Sequence, residues 1–413
     1  MAQLNITLDQ DEILQVLGDS SGDAFRLLLQ GSLNALLRAE SAEQLRAQPY
    51  ERCDERTDSR NGTRDRPLTT RIGTIVLSVP RHRNVPFKTL VFENYRRSEA
   101  ALITTMAEMV VAGVSTAKVG RVTEAICGRS FSKQAVSEAC KELDAAVAAF
   151  RDRPIEGRYL FAMADATYVK VREEHRVRAR ALMVAVGLTA DGRKEVIGFD
   201  LADAETRETW GSFLRSLKER GLAGVRMFTS DAHEGLAAAI QDAFPAVPWQ
   251  RCQAHFARNI ADAAPKNLRV GLRSELAEMF NCPTAAAARA KRDEIAADYA
   301  ELAPKAVERL DAGFDDAMTV MELPADMRRC TRTTNTLERL NREVKRRSSV
   351  IGVFPNPGSA TRLMGAFLLE ENDRWAARGR LYYAPSRDEL ESEEVLSRLE
   401  EIARNQKLLR EAA

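Results

Sequence analysis

From Arg158 onward the chain alternates strand-like and helix-like segments, and the order of these segments is the strongest constraint on its fold. Three extended segments come first: Tyr159–Val171, Arg178–Gly187 and Glu195–Asp200. A hairpin-like turn at Ala190, Asp191 and Gly192 joins the last two. An amphipathic helix is expected over Glu205–Gly221, with Trp210, Leu214 and Leu217 on one face. A strand at Val225–Thr229, a helix at Glu234–Phe244 and a short strand at Val247–Gln250 follow, the last leading into a helix through Ile260. Residues 268–320 are rich in Ala and Glu and are expected to be helical throughout. Another helix runs from about Thr334 to Arg347, and an amphipathic helix with Leu390, Leu396, Leu399 and Ile402 closes the chain.

Hairpin-linked strands followed by helix, strand, helix, strand and helices suit an α/β protein with a mixed five-stranded sheet covered on both faces. That is the ribonuclease-H-like arrangement. The expected core spans 156–263 and resumes at 329–377. Residues 264–328 form a helical insertion and 378–413 a helical tail.

The segment before the core is expected to be mainly helical and to serve DNA binding or dimerisation. Residues 1–97 read as two helices within 8–48, then a basic, polar stretch (ERCDERTDSRNGTRDRPLTTR) expected as loop, then strands at Thr74–Val79 and Phe87–Phe92. Residues 98–150 show short helices separated by Gly113 and Gly128, with Ser115 and Ser130 or Ser132 as caps. The last helix is expected to run unbroken over 133–150. Helix, glycine turn, helix is the outline of a helix-turn-helix, which would place Lys133, Gln134 and Ser137 early on the DNA-reading helix, although such pairs are also common in ordinary helix bundles.

Net charge is only +1, so the global balance does not point to nucleic acid, but the distribution does. Residues 51–97 hold 11 Lys/Arg against 6 Asp/Glu, and residues 328–347 hold 8 against 2. Such patches can supply phosphate contacts, and the plainer alternative is a pair of solvated faces. No apolar run approaches a membrane span, and the first residues lack the pattern of a signal peptide. The six cysteines, Cys53, Cys127, Cys140, Cys252, Cys282 and Cys330, lack paired spacing. Reduced thiols and a cytoplasmic location are therefore expected, with no membrane partner.

Three carboxylates stand out. Asp165 interrupts the otherwise apolar or small-residue start of its strand, FAMADATYVKVR. An unpaired buried carboxylate is costly, so it needs a partner. Asp231 follows the fourth core strand in VRMFTSDAHEGL, at the strand end where open α/β sheets place ligands. If the two strands are neighbours, the aspartates face each other and need a cation between them. Mg²⁺ is the expected ion, as a pair of ions with Mn²⁺ as a substitute. The third acid is Glu338 in RTTNTLERLNREVKRR, where Leu337, Leu340 and Val344 form the buried stripe. Glu338, Asn341 and Lys345 flank that stripe beside Arg342. A structural aspartate at 165 and a helix-capping one at 231 are the plainer alternatives.

On these residues the sequence resembles the mutator-type family of bacterial insertion-sequence transposases. The likeness runs over nearly the whole chain: DATYVKVR with Asp165, SDAHEGL with Asp231, FPAVPWQRCQAHFARN with Cys252 and His255, RTTNTLERLNREVKRR with Glu338, then VFPNPGSATRL and Trp375. RNGTRDR, GTIVLSVPRHR and GVSTAKVGRVTE extend it toward the N-terminus. The spacing of 66 residues between the first two acids (231 − 165) and 107 to the third (338 − 231) belongs to the same pattern. The resemblance implies a three-acid transposase with Asp165, Asp231 and Glu338 as metal ligands. It implies binding to terminal inverted repeats, cleavage that frees a 3′-OH, and joining of that end to target DNA. It also implies at least a homodimer on double-stranded DNA, associated with the bacterial nucleoid.

Candidate DNA contacts are Arg251, Cys252, His255, Arg258 and Asn259 near the short strand, and Arg332, Asn335, Asn341, Arg342, Lys345 and Arg346 around the basic helix. Cys-x-x-His is half a zinc site in form. With only His82, His175 and His233 besides, no second pair completes it, and a structural or DNA-positioning role is expected. His233 has two open readings, a phosphate contact or a helix cap. Two other functions compete: a DNA-binding regulator that retains the fold, and a nuclease or resolvase that cuts without joining.

Overall fold

The computed structural model describes residues 23–70, 73–89, 103–127, 132–383, 390 and 392–411. The chain divides into two compact units, residues 1–110 with 114–140, and residues 111–113 with 141–413.

In the first unit, helix α1 (Asp23–Leu45) packs on a hairpin of β1 (Arg60–Thr70) and β2 (Gly73–His82). Leu37, Leu68, Ile75, Leu77 and Val79 form its core. The stretch expected as loop is therefore partly a strand. It is hard to recognise because, among the described side chains of β1, only Leu68 enters this core, while Arg, Thr and Asp fill most other positions of the strand. The expected strand at Phe87–Phe92 does not form over 87–89, and the rest of it lies outside the described residues, as does the first expected helix before residue 23. The N-terminal region is thus helix plus hairpin over its described part.

A helix over 103–111 (α2), α3 (Thr116–Cys127) and α4 (Lys133–Ala139) follow. Gly113 ends the first with φ +94°, a conformation that suits glycine, and Ser115 Oγ accepts from Lys118 N at 3.3 Å at the start of α3. Met106, Val119 and Val136 meet in one small core. The expected single helix over 133–150 is broken by a 3₁₀ turn at Cys140–Glu142, and α5 (Leu143–Asp152) belongs to the second unit.

The second unit is built on a five-stranded mixed sheet of β3 (Tyr159–Glu173), β4 (Arg176–Thr189), β5 (Lys194–Ala202), β6 (Met227–Ser230) and β7 (Trp249–Arg251), in the order β5-β4-β3-β6-β7. Strands β3, β4 and β5 form an antiparallel meander. After α6 (Arg207–Glu219), β6 runs parallel to β3. After α7 (Glu234–Ala243), β7 runs parallel to β6. Thr206 caps α6 reciprocally with Thr209. One sheet face, through Ala162, Ala164, Met183 and Ala185, packs on Trp210, Leu214 and Leu217 of α6 and Leu236 and Ile240 of α7.

Four helices come next: α8 (Gln253–Ala263), α9 (Arg269–Phe280), α10 (Ala285–Tyr299) and α11 (Pro304–Met318). They share a separate core that includes Phe256, Ile260, Leu276, Ile295, Leu310 and Phe314. The short α12 (Ala325–Thr331) leads to α13 (Asn335–Ile351), which returns to β3. Beyond α13, Phe354 bonds the far end of β3: its N–H donates to Lys170 O and its carbonyl accepts from Arg172 N, both at 2.8 Å. Helix α14 (Pro357–Arg378) lies on β5 and α5.

The last helix, α15 (Glu393–Glu411), closes the β7 edge of the sheet. Gln406 Oε1 accepts from Trp249 N at 2.8 Å, and its Nε2 donates to Trp249 O at 2.7 Å. No helix among the described residues is long and apolar enough to cross a membrane.

Candidate active site

The sheet register brings the two aspartates together. Met163 of β3 stands opposite Thr229 of β6 in parallel pairing. Two residues further along each chain are Asp165 and Asp231, the latter immediately past the end of β6 at Ser230. A parallel strand that stops there frees a carboxylate beside a neighbour still inside its own strand.

Asp165 is held from two sides. Its Oδ1 accepts from Ala166 N and its Oδ2 from Asn341 Nδ2 of α13, each at 2.9 Å. Burial, then the negative charge of Asp231, pushes its pKa up to about 7, with Glu205 adding to the rise and His255 opposing it. Glu205, just before the cap of α6, is a further carboxylate near the pair. Sequence reading missed it because nothing in its own segment distinguishes it from a solvent-facing acid.

Asp231 Oδ1 accepts from His233 N at 3.2 Å. Ser230 Oγ donates to Asp231 O and accepts from Trp249 Nε1, each at 2.8 Å. His233 occupies the cap position of α7, but its side chain makes no capping bond, so the cap reading of that ring does not hold.

Glu338 sits in the first turn of α13. Its Oε1 lies 3.3 Å from His255 Nε2 and 3.5 Å from Arg258 Nη2, both on α8. One turn further, Asn341 reaches Asp165, so α13 presents Glu338 and Asn341 along one flank above the aspartates. Leu337, Leu340 and Val344 are buried, as the stripe required. Among the described residues, no three His, Cys, Asp or Glu side chains are grouped closely enough to grip one metal ion, so Glu338 is not drawn into a cluster with the aspartates.

The aspartate pair itself suits a divalent cation of the Mg²⁺ type. Its donors are carboxylate oxygens, and the raised proton affinity of Asp165 reflects burial and an unneutralised neighbouring charge.

Cys252 is fully buried at the start of α8. Its Sγ accepts from Thr334 N and Thr334 Oγ1, both at 3.3 Å, and its N–H donates to Ser230 O at 2.8 Å. Its thiol pKa is lowered despite burial, because the nearby His255 and Thr334 favour the thiolate, and the pKa of His255 is raised mainly by Cys252.

Several residues expected to touch DNA are instead occupied within the fold. Arg251 is packed over Phe256, its guanidinium 4.5 Å from the ring centre. Arg332 Nη1 donates to Asn281 Oδ1 at 2.9 Å. Asn341 is buried on Asp165, and Cys252 has no exposed surface. By contrast Arg258, Asn259, Asn335, Arg342, Lys345 and Arg346 are exposed. Arg346 is also paired with Glu343 at 3.0 Å. In the first unit Lys133 and Gln134 are exposed on α4, and Ser137 is partly covered.

Residues 1–378 match the model of the Mutator family of transposases. The chain belongs to that family. Relatives of this Mutator-family chain include the transposase for insertion sequence element IS256 in transposon Tn4001 of Staphylococcus aureus, 40% identical over 92% of this chain and 99% of that protein. The transposase for element IS1081 of Mycobacterium tuberculosis is 39% identical over 91% of each chain. That for element ISRM5 of Rhizobium meliloti is 38% identical over 87% of this chain and 91% of its own length. In this Mutator-family chain the family match stops at residue 378, before the helix that closes the β7 edge.

Proposed function

We propose that this chain is a Mg²⁺-dependent DNA transposase with a ribonuclease-H-like core, in which Asp165, Asp231 and Glu338 are the metal ligands. The observation that carries the reading is the in-register placement of Asp165 and Asp231 with α13 laid across them. The sheet order, an antiparallel meander followed by two parallel strands, supports the fold assignment.

Cleavage breaks a P–O3′ bond at the element end with water as nucleophile and leaves a 3′-OH. Joining uses that 3′-OH to form a new P–O bond in target DNA and displaces the target's own 3′ oxygen. Mg²⁺ bound at the carboxylates supplies Lewis acidity toward the phosphodiester. The protein's own groups fix the geometry. Asn341 and the Ala166 amide orient the Asp165 oxygens, while His255 and Arg258 hold Glu338. The exposed Arg258, Arg342 and Lys345 offer charge to the DNA backbone near the acids. Recognition of the terminal repeats falls to the first unit, with Lys133 and Gln134 on α4 and the arginines around the hairpin. Two ends must be paired, so the acting form is at least a dimer, working on DNA in the bacterial cytoplasm.

The test is cleavage and strand transfer by the full chain, using a duplex that carries the element's own terminal repeat, with a plasmid target in Mg²⁺. Asp165→Asn, Asp231→Asn and Glu338→Gln should each abolish both products while leaving end binding intact. Cleavage without any joined product would favour a nuclease, and end binding without cleavage by the unaltered chain would favour a regulator.

A further inference from the structure

Glu338 is the acid least well placed by its own helix. It lies in the first turn of α13, where a helix frays most readily, and 107 residues separate it from Asp231 (338 − 231). Something outside α13 must fix that first turn against the end of β6.

Two contacts do so, and both come from the Cys-x-x-His segment. At the first, Cys252 Sγ accepts from the N–H and the hydroxyl of Thr334, the cap residue of α13. At the second, His255 Nε2 lies 3.3 Å from Glu338 Oε1. Cys252 to His255 is one turn of α8, and Thr334 to Glu338 is one turn of α13. The two helix starts are therefore matched turn for turn. The same segment is tied to the aspartate side, because Cys252 N donates to Ser230 O, next to Asp231. Two more bonds brace the junction: Gln253 N to Arg332 O at 3.0 Å and Thr229 Oγ1 to Thr331 O at 2.7 Å.

We propose that Cys252 and His255 form a two-rung positioning clamp that sets Glu338 relative to Asp231. This explains why the element has the form of half a zinc site without completing one. The sulfur is used as a buried acceptor for a helix cap, and the imidazole faces the carboxylate. The inference rests on the reading of Glu338 as the third metal ligand. His255 and Cys252 are positioning residues, acting through Glu338 and Thr334.

The test is a double-mutant cycle on Mn²⁺ affinity, measured by titration calorimetry on the full chain, beside single-turnover cleavage and end binding. His255→Leu should weaken Mn²⁺ binding and slow cleavage by about 10–100-fold, the range for removing a residue that orients a ligand. His255→Gln, which keeps an amide donor near the Nε2 position, should recover most of the loss. Cys252→Ala should weaken Mn²⁺ binding in the same direction, and Cys252→Ser, which retains an acceptor, should do so less. In a Glu338→Gln background His255→Leu should have no further effect on Mn²⁺ affinity. End binding should be unchanged in all of them.

Equal losses from His255→Leu with and without Glu338 would overturn the clamp. So would wild-type Mn²⁺ affinity and cleavage in both His255→Leu and Cys252→Ala, or one tightly held zinc per chain lost in those variants. Full cleavage by Glu338→Gln alone would instead overturn the underlying three-acid reading, so the two failures are distinguishable.

Discussion

Asn341 Nδ2 donates to Asp165 Oδ2 at 2.9 Å, joining α13 to the middle of β3 across 176 residues of sequence. This bond makes the helix carrying Glu338 a direct support of the first acid. Asn341→Ala removes the donor from a carboxylate whose charge is already penalised by burial. A hydrogen bond to a charged group contributes about 1.5–3 kcal/mol, so single-turnover cleavage should fall about 10–100-fold. Asn341→Asp should be worse, because it sets a third negative charge on the pair. Near-normal cleavage by Asn341→Ala would show that Asp165 is oriented by other groups.

The proton affinity of Asp165 gives the metal-free protein a pH dependence of definite sign. Its pKa is raised from 3.8 to about 7, so the folded state keeps a proton that the unfolded chain has already released. Stability is therefore undiminished by this group below about pH 4, falls as pH rises through 4 to 7, and levels off above, with a total change of at most roughly 4 kcal/mol. In chelator, the melting temperature should drop between pH 5 and pH 8, and Asp165→Asn should show a smaller drop. Mg²⁺ should stabilise more at pH 8 than at pH 5. Parallel melting curves for the wild type and Asp165→Asn would remove this account.

Gly313 of α11 gives Arg251 and Phe256 their packing room. A Cβ built there would meet the Arg251 guanidinium and stand 2.6 Å from Phe256 Cε2. Arg251 can swing aside, but Phe256 is fully buried and cannot. Gly313→Ala should lower stability by about 1–3 kcal/mol, the usual cost of overpacking. A shift of the urea midpoint without a change in slope is the expected readout. An unchanged midpoint would mean that α11 moves freely away from β7.

The three acids were legible in the sequence as candidates, because their elements announce themselves locally, but the distance of Glu338 from the aspartate pair was not. Asp165 stands out in an apolar strand, Asp231 at a strand end and Glu338 beside a buried stripe, and the alternation of strands and helices pointed to a mixed five-stranded sheet, though not to the order of its strands. What stayed hidden depends on contacts between distant segments. Nothing near Asn341 tells a buried partner of Asp165 from a surface amide, and nothing near Arg251 shows that Phe256 and Gly313 receive it. Strand β1 was unreadable for a related reason: a strand that contributes one apolar side chain to a core carries almost no periodic signal. The partners of Cys252 and His255 lie about 80 residues away on α13, so the pair could be recognised as a motif but not as a contact.

The β7 edge is closed from beyond the family match, so loss of the last helix's contacts should weaken the unit that carries the candidate site. Gln406 pairs with both backbone groups of Trp249 and also donates to Asp316 Oδ1 at 2.9 Å, while the Arg410 guanidinium stacks 4.4 Å from the Trp249 ring centre. Gln406→Ala leaves the buried Trp249 N–H unpaired, at about 1–3 kcal/mol, while the Trp249 carbonyl keeps the longer bond from Thr319 Oγ1 at 3.3 Å. Trp249 in turn bonds Ser230 beside Asp231, so the loss should reach the site. The expected outcome is a urea midpoint lowered by the equivalent of about 1–3 kcal/mol together with slower cleavage. Gln406→Glu should be at least as damaging, because it replaces the donor to Asp316 with a repelling charge. If Gln406→Ala unfolds and cleaves like the wild type, α15 is an appendage, and β6 and Thr319 hold Trp249 without it.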